Sequence, residues 1–134
     1  NPRIPLTEPV IYTVNGRTGS GVVPPYLIGI MLGDGHLPSR TVTACEDGIR
    51  DYLASAGFKP AAELHSDGKP KTWRPTGALG HAISAWLINH NLNTARSWEK
   101  FLPPYVLTAS LEYRLELLRG LMDTDGTVEK RGRC

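Results

Sequence analysis

The chain has 134 residues, 40% of them hydrophobic, with 15 Lys and Arg against 13 Asp and Glu and a formal net charge of +2. That length suits one buried core. No apolar run reaches bilayer-spanning length, no secretory signal opens the chain, and so balanced a charge does not by itself establish nucleic-acid binding, which would need the basic residues gathered on one face.

Residues 1–25 are rich in Pro and Gly, with a strand-like run Val10–Val14 followed by Asn15-Gly16, a hairpin signal. They read as a linker or the last hairpin of a preceding domain, and residues 26–134 as the main domain. Pro24 and Pro25 open a first apolar helix, where a missing N–H costs nothing. Thr41–Ala44 reads as a short strand. Glu46–Ala56 is expected to be helical, with Ile49, Tyr52, Leu53 and Ala56 on one face and Gly57 closing it. Ala62–His65 and Lys71–Arg74 are expected to form a hairpin around Ser66-Asp67-Gly68. Ala78–His90 is an amphipathic helix with Leu79, Ile83, Trp86 and Leu87 inward. Ser110 caps a last helix through Leu111, Leu115, Leu118, Leu121 and Met122. The fold class is α/β (α+β): one αββαββα-type repeat followed by the first helix of a second.

The most informative feature is internal. Leu27-Ile28-Gly29-Ile30-Met31-Leu32-Gly33-Asp34-Gly35 returns 91 positions later as Leu118-Arg119-Gly120-Leu121-Met122-Asp123-Thr124-Asp125-Gly126. Gly29 and Gly33, and Gly120 and Thr124, are spaced i, i+4 and share one helix face, so two such helices can pack closely along them. Gly35 and Gly126 suit a left-handed C-cap, which would end each helix at its Asp. A carboxylate at a helix C-terminus is electrostatically unfavourable, and two together make an anionic spot that a divalent cation would stabilise. Mg²⁺ accepts one or two carboxylates with water and phosphate oxygens, and such a site suits phosphodiester hydrolysis. An EF-hand reading of Asp123-Thr124-Asp125-Gly126 fails, because Thr127 stands where a fifth-position ligand is required.

These two stretches resemble the paired motifs of the LAGLIDADG homing endonucleases. Lys100-Phe101-Leu102-Pro103 is similar to the block that precedes the second motif in intein-encoded members. The resemblance spans residues 25–134 and implies catalytic roles for Asp34, Asp125 and Lys100, with Asp34 and Asp125 holding Mg²⁺ or Mn²⁺. It implies a long duplex DNA target cut on both strands. It also implies partners in cis, an intein splicing domain and host flanks, with hosts such as mycobacterial-type helicases or recombinases. Apart from the resemblance, the lack of a secretory context and of a membrane-length apolar run reads as a cytoplasmic location with no membrane partner. A second half is expected after the second motif, and the chain ends eight residues beyond Gly126, so the sequence reads as a fragment inactive alone. Two other functions stay open: a degenerate insert in a splicing-only intein, and a DNA-binding regulator on the same fold.

Lys69, Lys71, Trp73 and Arg74 form a basic hairpin with one aromatic, which reads either as a groove-contacting element or as a solvated surface. His36 reads as a solvated loop histidine beside the proposed metal. Trp86 and Trp98 read as core. Cys45 and Cys134 lack metal-ligand spacing and read as reduced thiols.

Overall fold

A computed structural model describes residues 23–125 apart from 63, 65 and 67, with Asp125 described by its backbone only. The expected Val10–Val14 strand, the Asn15-Gly16 turn and Gly126 lie outside the described residues.

The first helix, α1 (Pro25–Asp34), follows Pro24 as N-cap. It is apolar almost all round, and Leu27, Ile28, Ile30 and Met31 are buried. It leads directly into a two-residue strand, β1 (Gly35–His36), which pairs with β2 (Thr41–Thr43). Helix α2 (Asp47–Ala56) ends at Gly57, whose φ of 112° is left-handed, as a glycine C-cap permits. Its buried side is Ile49 and Leu53, together with Arg50, whose guanidinium donates to the Ala44 carbonyl at 3.3 Å.

The next strand is displaced from the expected one. β3 is Phe58–Pro60, immediately after Gly57, and it pairs with β4 (Thr72–Pro75). Leu64 makes only an isolated bridge to Pro70. Phe58 supplies a buried apolar anchor, whereas Leu64 within Ala62–His65 is 58% exposed. Pro60 is tolerated because β3 is an edge strand in the order β1-β2-β4-β3.

The sheet is antiparallel throughout, so cross-strand partners project to the same side. Val42, Trp73 and Phe58 are buried on the inner face. His36, Thr41, Thr43, Thr72, Arg74 and Lys59 fall on the other. The three helices α1, α2 and α3 (Gly77–Asn89) pack against β2, β3 and β4 respectively. The buried side of α3 is Ile83, Trp86 and Leu87, with Leu79 at its margin.

Two short 3-10 turns, Ser97–Glu99 and Pro104–Thr108, carry the chain to α4 (Leu111–Asp125). Ser110 caps it by accepting the Tyr113 N–H at 3.1 Å. Trp86 Nε1 donates to the Tyr105 hydroxyl at 3.0 Å, and the Tyr105 and Tyr113 hydroxyls are 2.7 Å apart. This cluster fastens the start of α4 to α3. Trp98, expected in the core, is 78% exposed, because the 3-10 turn it occupies buries nothing. Cys45 carries a disulfide-bonded sulfur rather than the expected free thiol. The described residues thus form a mixed α/β unit in the order α-β-β-α-β-β-α, followed by α4. No helix among them is long and apolar enough to cross a membrane.

Candidate functional site at the paired helix ends

Helices α1 and α4 touch backbone to backbone. A Cβ added at Gly29 would meet the Leu117 carbonyl, and would lie 2.8 Å from both Gly120 Cα and Leu121 N. One added at Gly120 would meet the Tyr26 carbonyl, and would lie 2.8 Å from Ile30 N and 2.9 Å from Gly29 Cα. Real Cβ atoms do not approach so closely, so both positions require glycine.

The two contact sets are reciprocal. Gly29 faces residues 117, 120 and 121, and Gly120 faces 26, 29 and 30. The second set becomes the first on adding 91, the offset of the repeat in the sequence. Such reciprocity marks a near two-fold axis through the Gly29–Gly120 contact. Pro24, Pro25 and Tyr26, which precede Gly29, line one pocket with Glu116 and Arg119, which precede Gly120, so the helices run in the same direction. Asp34 and Asp125 occupy equivalent positions, 91 apart in the chain, at the same end of the seam.

That end gathers negative potential, because both macrodipoles point their C-termini toward it. Lys100 sits there. Its ammonium donates to the carbonyls of Met31 at 3.3 Å, Leu32 at 3.2 Å and Gly35 at 2.6 Å. Those carbonyls include ones that a helix end leaves without intrahelical partners. Lys100 is thus a C-cap for α1, and this role places a cation beside Asp34. The buried Pro103 and the extended stretch between the two 3-10 turns hold its backbone there.

Gly35 differs from expectation. It is extended, with φ −78° and ψ 146°, and not left-handed. The chain enters β1 straight from the helix, so no reversing turn is needed. The glycine is required by space instead: a Cβ would meet the Met31 carbonyl and stand 2.8 Å from Met31 Cα.

Of the other small residues, Gly33 is half-buried near the end of α1. The Thr124 hydroxyl turns back to its own helix, donating to Gly120 O at 2.9 Å and Leu121 O at 3.1 Å. His36 is exposed and engages the Ser39 hydroxyl at 2.6 Å.

One interhelical bond breaks the symmetry. The Tyr26 hydroxyl donates to Asp123 at 2.6 Å, and the Tyr26 ring meets Tyr52 edge-on at 4.6 Å. Burial, then the bond to Asp123, pushes the Tyr26 phenol above its ordinary range. The equivalent positions are Leu117 and Leu32, so no second bond exists. Sequence reading missed this contact, since neither residue carries a signal outside the fold.

Among the described residues no group of three or more His, Cys, Asp and Glu is gathered to hold a metal ion. Mg²⁺ asks for less, one or two carboxylates with water and phosphate oxygens completing the shell. In kind, an exposed Asp34 and a second Asp at the equivalent position meet that need.

The basic hairpin residues separate. Lys69 is paired with Asp47 at 2.7 Å, and that bond, with Arg50 adding to it, holds the Asp47 carboxyl below its usual range. Lys71 is half-buried, and its carbonyl accepts the Ala44 N–H at 2.9 Å. Trp73 is only 7% exposed and lies on the inner face, which corrects its reading as a groove-contacting aromatic. The hydrophobic side of β4 takes it because Val42 stands opposite. Arg74 is exposed on the outer face, directly opposite Lys59. Lys59 was not singled out in the sequence, although its alternation with Phe58 marks it as outward. Like charges directly opposite across strands are destabilising, and an anionic partner would relieve them.

Over 111 residues, 83% of the chain, the sequence is 31% identical to the replicative DNA helicase DnaB of Mycobacterium intracellulare. The chain spans about 15% of the length of that relative. No family model matches the chain, and no solved structure matches it.

Proposed function

We propose that this chain belongs to a LAGLIDADG-type homing endonuclease carried by an intein, and that the whole protein makes a double-strand break in a long duplex target. The observation that carries this reading is the seam: two like-directed helices in backbone contact, related by the same 91-residue offset as the motifs, with Asp34 and Asp125 at equivalent positions. In the reading, Asp34 and Asp125 would hold Mg²⁺ or Mn²⁺. When bound, the ion would supply an activated water and stabilise the leaving oxygen. Lys100 contributes a positive charge at the same pole and holds the end of α1 in place, which orients Asp34. The outer face of the sheet, with Lys59 and Arg74 opposed, would lie along the phosphates and base edges of the DNA.

Similarity to a stretch of a replicative helicase fits an element lodged in a replication protein, so the proposed host is of that kind. The exposed side of α4, with Leu118 and Met122 about half exposed, is where a second repeat would pack.

The test uses the full-length protein, Mg²⁺ and a duplex carrying the uninterrupted host sequence. The expected outcome is a double-strand break by wild type. Asp34→Asn and Asp125→Asn should each abolish cleavage while leaving affinity nearly unchanged, because phosphate contacts elsewhere dominate binding. Binding without cleavage by wild type would favour a DNA-binding regulator. Splicing with neither binding nor cleavage would favour a splicing-only insert.

A further inference from the structure

A second basic feature lies away from the helix ends. A cleft of about 470 Å³ opens between the Ser39–Arg40 turn, the end of β4 at Arg74, and the first turns of α3 with Gly77, Gly80 and His81. Two guanidinium groups and an imidazole line it, and among the described residues no carboxylate does. The cleft joins the outer sheet face through Arg74.

Its walls are organised for an anion. Arg40 is a non-glycine residue in the left-handed region, with φ 58°. Such a conformation persists only where the surroundings hold it. Here the hold is a hydrogen bond from Arg40 Nη1 to the Ser84 hydroxyl, which in turn donates to the Gly80 carbonyl at 2.9 Å. A guanidinium has five N–H donors, so this anchor leaves others to spare. Thr76 precedes α3 but does not cap it; its hydroxyl donates to the Gly57 carbonyl at 2.8 Å. The first turn of α3 contains no acidic residue. Cationic side chains and uncapped N–H groups thus border one cavity.

We propose that this cleft seats a backbone phosphate of bound duplex DNA, gripped by Arg40 and Arg74, as an anchoring point separate from the Asp34–Asp125 pole. The proposal rests on the DNA-binding reading given above and deepens it, adding Arg40 and the start of α3 to the Arg74 contact that reading already contains.

The experiment measures duplex affinity of the full-length protein across a salt series for wild type, Arg74→Gln, Arg40→Gln and, as a charge-matched control, Arg119→Gln on α4. Arg119 pairs with Glu116 at 2.6 Å, outside the cleft. Thermal midpoints check folding, and Arg74, exposed with its side chain outside the core, serves if Arg40→Gln unfolds. Each cleft variant should lose roughly tenfold in affinity at moderate salt. Each should also lower the slope of log K against log salt by about one, with the Arg119 variant unchanged. Wild-type binding with unaltered affinity and slope in Arg74→Gln overturns the cleft while leaving the endonuclease reading intact. A lowered slope in the cleft variants, with a wild type that binds but never cuts, supports the cleft and overturns the endonuclease reading. A slope change seen with single-stranded RNA and not with duplex overturns the proposal.

Discussion

Helices α1 and α4 are two versions of one sequence in two environments. Leu27 and Met31 of α1 are 0% and 3% exposed, whereas their counterparts Leu118 and Met122 in α4 are 51% and 52% exposed. The motif is the same, so burial is not written in the motif. It is conferred by what surrounds it: α1 lies against β1 and β2, while α4 has its seam with α1 and the aromatic cluster at its start. The shared feature, backbone contact at glycine, survives the difference because it belongs to the pair and not to either helix.

The largest test strikes what the two helices share. Gly29→Leu or Gly120→Leu forces side-chain atoms into a partner backbone, and each should cost about 3 kcal/mol or more, if the protein folds at all. Chemical denaturation reads this directly. Gly48→Ala, where an added Cβ meets nothing, is the neutral comparison.

The second test breaks the comparison itself. Leu27→Ala should cost about 2–5 kcal/mol, as for a fully buried leucine. Leu118→Ala should fall within about 0.5 kcal/mol in the protein whose α4 face is bare. Equal costs at the two sites would mean that α4 is covered as α1 is.

Third comes the end of α1. Lys100→Met removes a charged donor from three carbonyls and should destabilise by about 1–3 kcal/mol. A stability change below about 0.5 kcal/mol would show that water replaces the ammonium without loss.

The smallest effect concerns the attachment of α4. His90 lies between Trp86 and Tyr105, with ring centroids 4.9 and 5.1 Å away. Burial lowers its pKa. The fold therefore disfavours its protonated form, and the unfolded chain binds the proton first. Stability is complete above the unfolded histidine value, about 6.5, and declines as pH falls through the lower folded value. His90→Gln should flatten stability over that window, measured as thermal midpoint against pH. Loss near Asp47, whose pKa is also lowered, belongs to more acid solution, below the ordinary carboxylate range.

Sequence periodicity made α1, α2, α3 and the capped start of α4 legible, because apolar spacing and the Pro, Gly and Ser punctuation are local. The short strands were less so. β1 has two residues, and β3 holds a proline, so neither produces alternation that can be read without its partner. The acceptors of Lys100, 65 to 69 positions earlier in the chain, could not be read before the fold brought them together. The same holds for Arg40, whose cleft neighbours come from a turn, a strand and a helix. Trp73 shows the opposite error: its basic neighbours suggested a surface, and strand alternation turned it inward.

The seam also has a genetic consequence. Most core substitutions can be rescued by trimming a neighbouring side chain. At Gly29 and Gly120 the atoms in the way are carbonyls, amide nitrogens and α-carbons, which every amino acid possesses. No single replacement elsewhere makes room, so suppressor screens on Gly29→Ala should return reversion to glycine and little else. The two positions should be as intolerant as catalytic residues in any mutational scan for folding, while touching no substrate.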